Sequence, residues 1–136
     1  MADTLRLEIV TPDGTVFSED VVMVTLPCIE GQLGIYPLHV PLITQVVPGE
    51  IIAHKPGQDT HLAVGEGLVD VAADRVAIVT DMAVEADHID EAKAEEARQR
   101  AEARLREKIS DEEVASVNAS LVRSLAQLHV KRRHKP

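Results

Sequence analysis

From Leu68 to Lys135 the chain has neither glycine nor proline. All seven glycines and six of the seven prolines lie between Pro12 and Gly67. Both residues punctuate tight turns and are excluded from helix interiors, so this distribution separates a turn-rich module from a helical one. The charges divide near the same place. Residues 1–88 carry 14 acidic and 3 basic side chains, a net of −11, whereas 89–136 carry 9 acidic and 11 basic, a net of +2. An acidic body joined to a charge-dense tail implies two parts with different tasks.

The first part reads as strands. Leu5, Leu7 and Ile9 alternate with Arg6 and Glu8, the period of a half-buried strand. Thr11-Pro12-Asp13-Gly14 supplies a turn, and Val22, Val24 and Leu26 face one way on a strand expected to end at Pro27. Further turn signals at Pro48-Gly49, Lys55–Gln58, Gly65–Gly67 and Ala73–Arg75 separate apolar runs at Val40–Val47, Ile51–His54, Leu62–Val64, Leu68–Val71 and Val76–Thr80. Fourteen of 18 valines fall at or before position 88, which suits a pleated sheet. With Tyr36 and Phe17 the only aromatics, the core is aliphatic.

The second part reads as helices. Ala94, Ala97, Ala101 and Leu105 form a narrow stripe of mostly small residues. Ser110-Asp111-Glu112-Glu113 has the S-x-x-E form of a capping box, and Val114, Val117, Leu121, Leu125 and Leu128 then step as a coiled-coil seam. The expected fold is β plus α: an N-terminal flattened β-sandwich of about eight to ten short strands over 1–87, then a C-terminal antiparallel two-helix hairpin over 88–136. An alanine stripe buries little area, so the hairpin is expected to detach or to open at Ser110, with a permanently docked pair as the alternative.

The search for chemistry is negative. His39, His54, His61, His88, His129 and His134 form no i, i+4 pair and lack a neighbouring cysteine set, so no metal site is expected. Cys28 is the only cysteine, which excludes an internal disulfide, and its apolar strand setting favours a structural thiol over a Cys28–His39 nucleophilic pair. Gly65-Glu66-Gly67 lacks the third glycine of a dinucleotide fingerprint. A net charge of −9 and scarce aromatics argue against nucleic acid. The uncharged run Gly31–Gly49 contains three prolines and cannot be a lipid-embedded helix. Asp3 and the alternating Leu5–Ile9 leave no room for a signal-peptide block. The expectation is a soluble chain, with membrane association only through a partner. The dense basic run is His129-Val130-Lys131-Arg132-Arg133-His134-Lys135, suited to a helix C-terminus or to an acidic protein surface.

Glu30-Gly31-Gln32-Leu33-Gly34-Ile35-Tyr36-Pro37-Leu38-His39-Val40-Pro41-Leu42-Ile43-Thr44 resembles the signature E-G-E-L-G-I-x-P-G-H-A-P-L-L-T of the epsilon subunit of F-type ATP synthases. Gly67–Val71 and Val76–Ala83 resemble two further strands of that family, and Ile89-Asp90-Glu91-Ala92-Lys93-Ala94 resembles the start of its hairpin. The resemblance covers nearly the whole chain. It implies a non-catalytic central-stalk (rotor) subunit whose sandwich sits on the gamma subunit and the c-ring during proton-gradient-driven ATP synthesis. Its hairpin would fold down, or extend along gamma into the alpha–beta hexamer and restrain ATP hydrolysis. The implied location is peripheral, at the cytoplasmic face of a bacterial cell membrane.

By the same resemblance, Glu30, Gln32 and His39 would meet the rotor, and Arg123, Lys131, Arg132 and Arg133 the beta subunit. Gln32, Leu38 and Val40 depart from the usual acidic residue, Gly and Ala. For the ATP site of some bacterial members, Ile89, Asp90, Ala94, Arg100 and Arg123 match, whereas Val84, Lys93 and Gln127 replace Glu, Arg and Arg. Lys lacks the bidentate fork of Arg, and Gln127 removes a charge that would meet phosphate, so no cofactor and at most weak ATP binding are expected. Two readings from other classes are a stand-alone small-molecule-binding sandwich and a coiled-coil adaptor.

Overall fold

The computed structural model describes residues 4–134. Ten strands come first: β1 (Leu5–Thr11), β2 (Gly14–Val21), β3 (Met23–Cys28), β4 (Gly31–Ile35), β5 (Leu42–Val46), β6 (Gly49–His54), β7 (Thr60–Val64), β8 (Gly67–Val71), β9 (Arg75–Thr80) and β10 (Ala83–Glu85). A short 3-10 turn at Ala86–His88 leads into α1 (Glu91–Leu105) and α2 (Asp111–Arg133). No helix among the described residues is long and apolar enough to cross a membrane.

The strands form one continuous path, β10-β7-β6-β3-β5-β8-β9-β1-β2, with β4 on the free side of β3. The join between β3 and β5 is a corner: Cys28 opposite Val46 is their single register pair, supported by Val47 N–H donating to Pro27 O at 2.9 Å. The path therefore folds into two layers. Pairing is antiparallel except where β1 lies parallel to β9. Leu7, Ile9, Val24, Leu26, Ile51, Leu62, Val69 and Ile78 are buried between the layers, one from each alternate position, as the pleat requires. At Gly67, where β8 begins opposite Thr80, an added Cβ would lie 2.0 Å from the Val79 carbonyl oxygen, so only glycine allows that approach.

Three details differ from the sequence reading. β3 runs one residue past Pro27, because proline lacks only a donor, and its carbonyl still bonds Val47. The capping box is half made: Ser110 accepts from Glu113 N–H at 3.2 Å, whereas the Glu113 carboxylate reaches Arg104 of α1 at 2.5 Å and ties the two helices together. The leucine seam is also only partly right. Leu128 is buried and Val114, Val117 and Leu121 are half-buried, but Leu125 stands exposed while Ser124, Ala126 and Val130 are buried. α2 packs against α1 on one side and β6–β7 on another, so its buried surface is two adjoining stripes rather than one seam. Small residues let it approach both.

The hairpin is docked on the sandwich. Ala63, Ala86, Ile89 and Val130 form a second, small apolar cluster, with Met82 and Val84 packed against it. Ala94 and Ala101 of the expected stripe are buried against α2.

Candidate functional site

Two surfaces carry the residues singled out in the sequence. The first is the segment from Ile29 through Ile43, where β4 ends and β5 begins. Ile29, Tyr36, Leu38, Val40 and Ile43 are all 60–71% exposed, an apolar concentration rare on a surface with no partner. Leu68 and Val79, a cross-strand pair on β8 and β9, extend the exposed apolar surface of the sheet that includes β5. The loop is held in shape. Leu38 N–H donates to Ala73 O at 2.7 Å, and Leu38 itself has φ of 69°, the one left-handed non-glycine residue described. Glu30 accepts from the Thr44 hydroxyl at 2.8 Å, bracing the two ends of the segment. Gln32 is exposed, and His39 Nδ1 lies 2.7 Å from the Val40 carbonyl oxygen. Glu30, Gln32 and His39 thus lie in the same segment as these exposed apolar residues, Gln32 on β4 and the other two in the loops that flank it.

Cys28, the last residue of β3 and the neighbour of Ile29, is buried. Burial, and secondarily the Glu30 carboxylate, push its thiol above the ordinary range, which disfavours the reactive thiolate. The structural reading of Cys28 fits that environment.

The second surface is α2 and its partners. Arg123 Nη1 is 3.4 Å from Asp81 Oδ2 on the sandwich, and Lys131 Nζ donates to Ala86 O at 3.1 Å. Arg132 reaches Glu95 of α1 at 3.3 Å, and Arg133 Nη1 pairs with Glu50 Oε1 at 2.8 Å. Every basic residue assigned to an external acidic surface is therefore bonded within the chain in this docked state. Lys135 lies outside the described residues. In α1, Arg98 bonds both Glu95 and Glu102. Chiefly through the Arg98 hydrogen bond, Glu95 is held at a pKa of about 2, well below the usual carboxylate range.

The nucleotide candidates are only partly gathered. Arg100, Arg123 and Gln127 line one groove between the helices, together with Arg104, Ser120 and Ser124. Ile89 is buried in the small apolar cluster, and Asp90 caps α1 by accepting from Lys93 N–H at 3.1 Å; neither is among the groove residues. A cluster that sequence spacing did not reveal is Glu50, His61 and His134, which converge where β6, β7 and the end of α2 meet.

Residues 4–86 match the family described as ATP synthase, Delta/Epsilon chain, beta-sandwich domain, and residues 87–132 match its long alpha-helix domain. The chain belongs to the ATP synthase delta/epsilon family. It is 42% identical over 126 residues to the ATP synthase epsilon chain of Herpetosiphon aurantiacus, covering 93% of both chains. It is 43% identical over 131 residues to ATP synthase epsilon chain 2 of Syntrophotalea carbinolica, covering 96% of this chain and 95% of that one. A chain of the Euglena gracilis mitochondrial ATP synthase, solved with OSCP, F1 and the c-ring, shares the fold with a TM-score of 0.73 at 21% identity, covering 98% of this chain and 84% of that one. Members of this family are non-catalytic stalk subunits of the synthase, and the lack of any enzyme signature in the sequence accords with that role.

Proposed function

We propose that residues 1–87 form a rotor-binding body and residues 88–136 a regulatory arm. The observation that carries the first half is the apolar rim of Ile29, Tyr36, Leu38, Val40 and Ile43, held in shape by backbone and Thr44–Glu30 bonds. Such a surface loses free energy when it is covered, at about 25 cal/mol per Å² of apolar area. Its position within the segment that resembles the family signature makes gamma and the c-ring the fitting partners. Glu30, Gln32 and His39 would add the polar contacts at its border.

The arm would restrain ATP hydrolysis. Arg123, Lys131, Arg132 and Arg133 hold acidic or carbonyl partners here, so extension exchanges those bonds for bonds to acidic surface on the beta subunit. Two sets of similar contacts give the small energy gap that a two-state arm requires. In this reading the chain is peripheral, at the cytoplasmic face of a bacterial cell membrane, and reaches the bilayer only through the complex. ATP binding in the groove lined by Arg100 and Arg123 is weak or absent, because Gln127 stands in that groove without a guanidinium and Lys93, outside its lining, lacks the bidentate fork.

The test is reconstitution of the synthase with the full chain and with a chain ending at Asp87. The shorter chain is expected to assemble with gamma and support synthesis while hydrolysis rises. Loss of assembly would overturn the division of labour, and unchanged hydrolysis would overturn the regulatory half.

A further inference from the structure

The chain gathers, at the seam between body and arm, a donor set that neither the rotor nor the nucleotide reading uses. His61 Nδ1 of β7 and His134 Nε2 at the end of α2 lie 3.0 and 2.5 Å from the same atom, Oε2 of Glu50 on β6. All three donor atoms lie within 4.8 Å of one another. The two imidazoles stack with centroids 3.7 Å apart and planes inclined by 30°. Arg133 occupies the other oxygen, Oε1, and fixes the carboxylate so that Oε2 faces the rings. The Glu50 side chain is only 7% exposed.

We propose that Glu50, His61 and His134 form a site for a first-row divalent transition-metal ion of the zinc class, which pins the end of α2 to the sandwich. The chemistry of the donors selects the ion. Imidazole nitrogens suit zinc, cobalt, nickel and copper, whereas magnesium and calcium take oxygen donors almost alone. Three protein donors leave one tetrahedral position for water. A cavity of about 180 Å³ adjoins the cluster, lined by His61 and His134 themselves, and supplies room for that water. Asp59, Glu85 and Asp87 also line it, so the approach carries negative charge that draws a cation inward. Without metal, a ring N–H from each histidine serves Oε2. When the ion binds, each neutral ring takes the tautomer with its proton on the other nitrogen, which leaves the lone pairs of His61 Nδ1 and His134 Nε2 for the metal.

The consequence for the arm follows from linkage. An ion that needs donors from β6, β7 and α2 at once binds only the docked hairpin, and it stabilises that state in proportion to RT ln(1 + [M]/Kd). The site stands on its own geometry and does not depend on where the extended arm goes. The present structure thus joins its two modules by a closable clasp.

The full chain should be titrated with Co²⁺, read by visible absorption, then challenged with Zn²⁺. The expected result is one saturable Co²⁺ per chain, displaced by Zn²⁺. His134→Ala and His61→Gln should each weaken binding on the order of 10- to 100-fold or more, the range that even outer partners of metal sites produce. His134 ends a helix, so its removal leaves the fold intact, as circular dichroism will report. His129→Ala, outside the cluster, should bind as the unaltered chain does. Zn²⁺ should also slow amide exchange in α2 of the unaltered chain but not of His134→Ala. Absence of saturable binding, or binding indifferent to both histidine substitutions, overturns the site. Binding without slower exchange in α2 overturns the clasp.

Discussion

Leu38 sits in a backbone conformation that its own side chain resists. Its φ of 69° is left-handed, a region that costs an L-residue roughly 1–2 kcal/mol. The Leu38–Ala73 backbone bond and the need to present an apolar tip hold it there. Glycine removes the strain but loses about 0.5–1 kcal/mol more chain entropy on folding. Leu38→Gly should therefore leave the free energy of unfolding in urea unchanged or raise it by up to about 1.5 kcal/mol, while weakening attachment to the rotor in the proposed reading. Leu38→Val should lower that free energy, since β-branching worsens the clash. A free energy that falls in the glycine variant would show that the turn is not strained at this position. The sequence marked Leu38 as unusual through the resemblance, but no local pattern reports the sign of a dihedral angle. The Glu50–His61–His134 cluster was hidden for another reason: its members lie 11 and 84 positions from Glu50, and spacing rules find only ligands that share an element.

Elements with a clear period were legible, and those without one were not. β1, β6, β8 and β9 alternate cleanly and were placed within two residues. β2 and β4 were missed because Gly14–Val21 mixes polar residues through its middle and Gly31–Ile35 holds two glycines. Both owe their order to pairing, with β1 and β3 respectively. In α2 the period was seen but its direction was blurred, because a helix packed on two sides buries more than one stripe. The two helices are joined by ion pairs as much as by alanine methyls, and this sets a pH response. The Glu95 carboxyl faces Arg98 and Gln99 of its own helix and Arg132 of α2. Its pKa falls from an ordinary 4.5 to about 2 in the folded chain, so its contribution is complete above 4.5 and disappears as the pH falls from there toward 2. Glu95→Gln should be less stable than the unaltered chain near neutrality, and the difference should close across that window. Thermal unfolding at a series of pH values measures it. A gap that stays constant down to pH 2 would mean that the Arg98–Glu95–Arg132 bonds do not stabilise the hairpin.

The whole molecule is a body with an arm whose Arg123, Lys131, Arg132 and Arg133 already have partners, and this changes what mutation of the arm should do. Arg123, Arg132 and Arg133 serve the docked state through Asp81, Glu95 and Glu50, and they serve the extended state through the beta subunit in the proposed reading. Reversing them removes contacts from both states, and undocking alone cannot then report on inhibition. The partners separate the two. Asp81→Asn takes away the Arg123 bond to the body and leaves every basic residue of the arm intact. Exposed pairs of this kind contribute about 0.2–1 kcal/mol, so docking should weaken by up to about fivefold. The freed arm then extends more often, and hydrolysis by the reconstituted complex should fall. Charge reversal at Arg123, Arg132 and Arg133 should instead raise hydrolysis, because in the proposed reading the extended arm would then meet acidic surface with acidic side chains, and repulsion would replace attraction. Assembly and synthesis should persist in both, since the proposed reading gives the rotor contacts to the sandwich. Steady-state hydrolysis of the variants, beside a complex lacking the hairpin, decides the matter. Opposite changes in the two variants require an arm in exchange between two sets of acidic partners. Equal rates in all of them would leave the hairpin a fixed buttress of the sandwich.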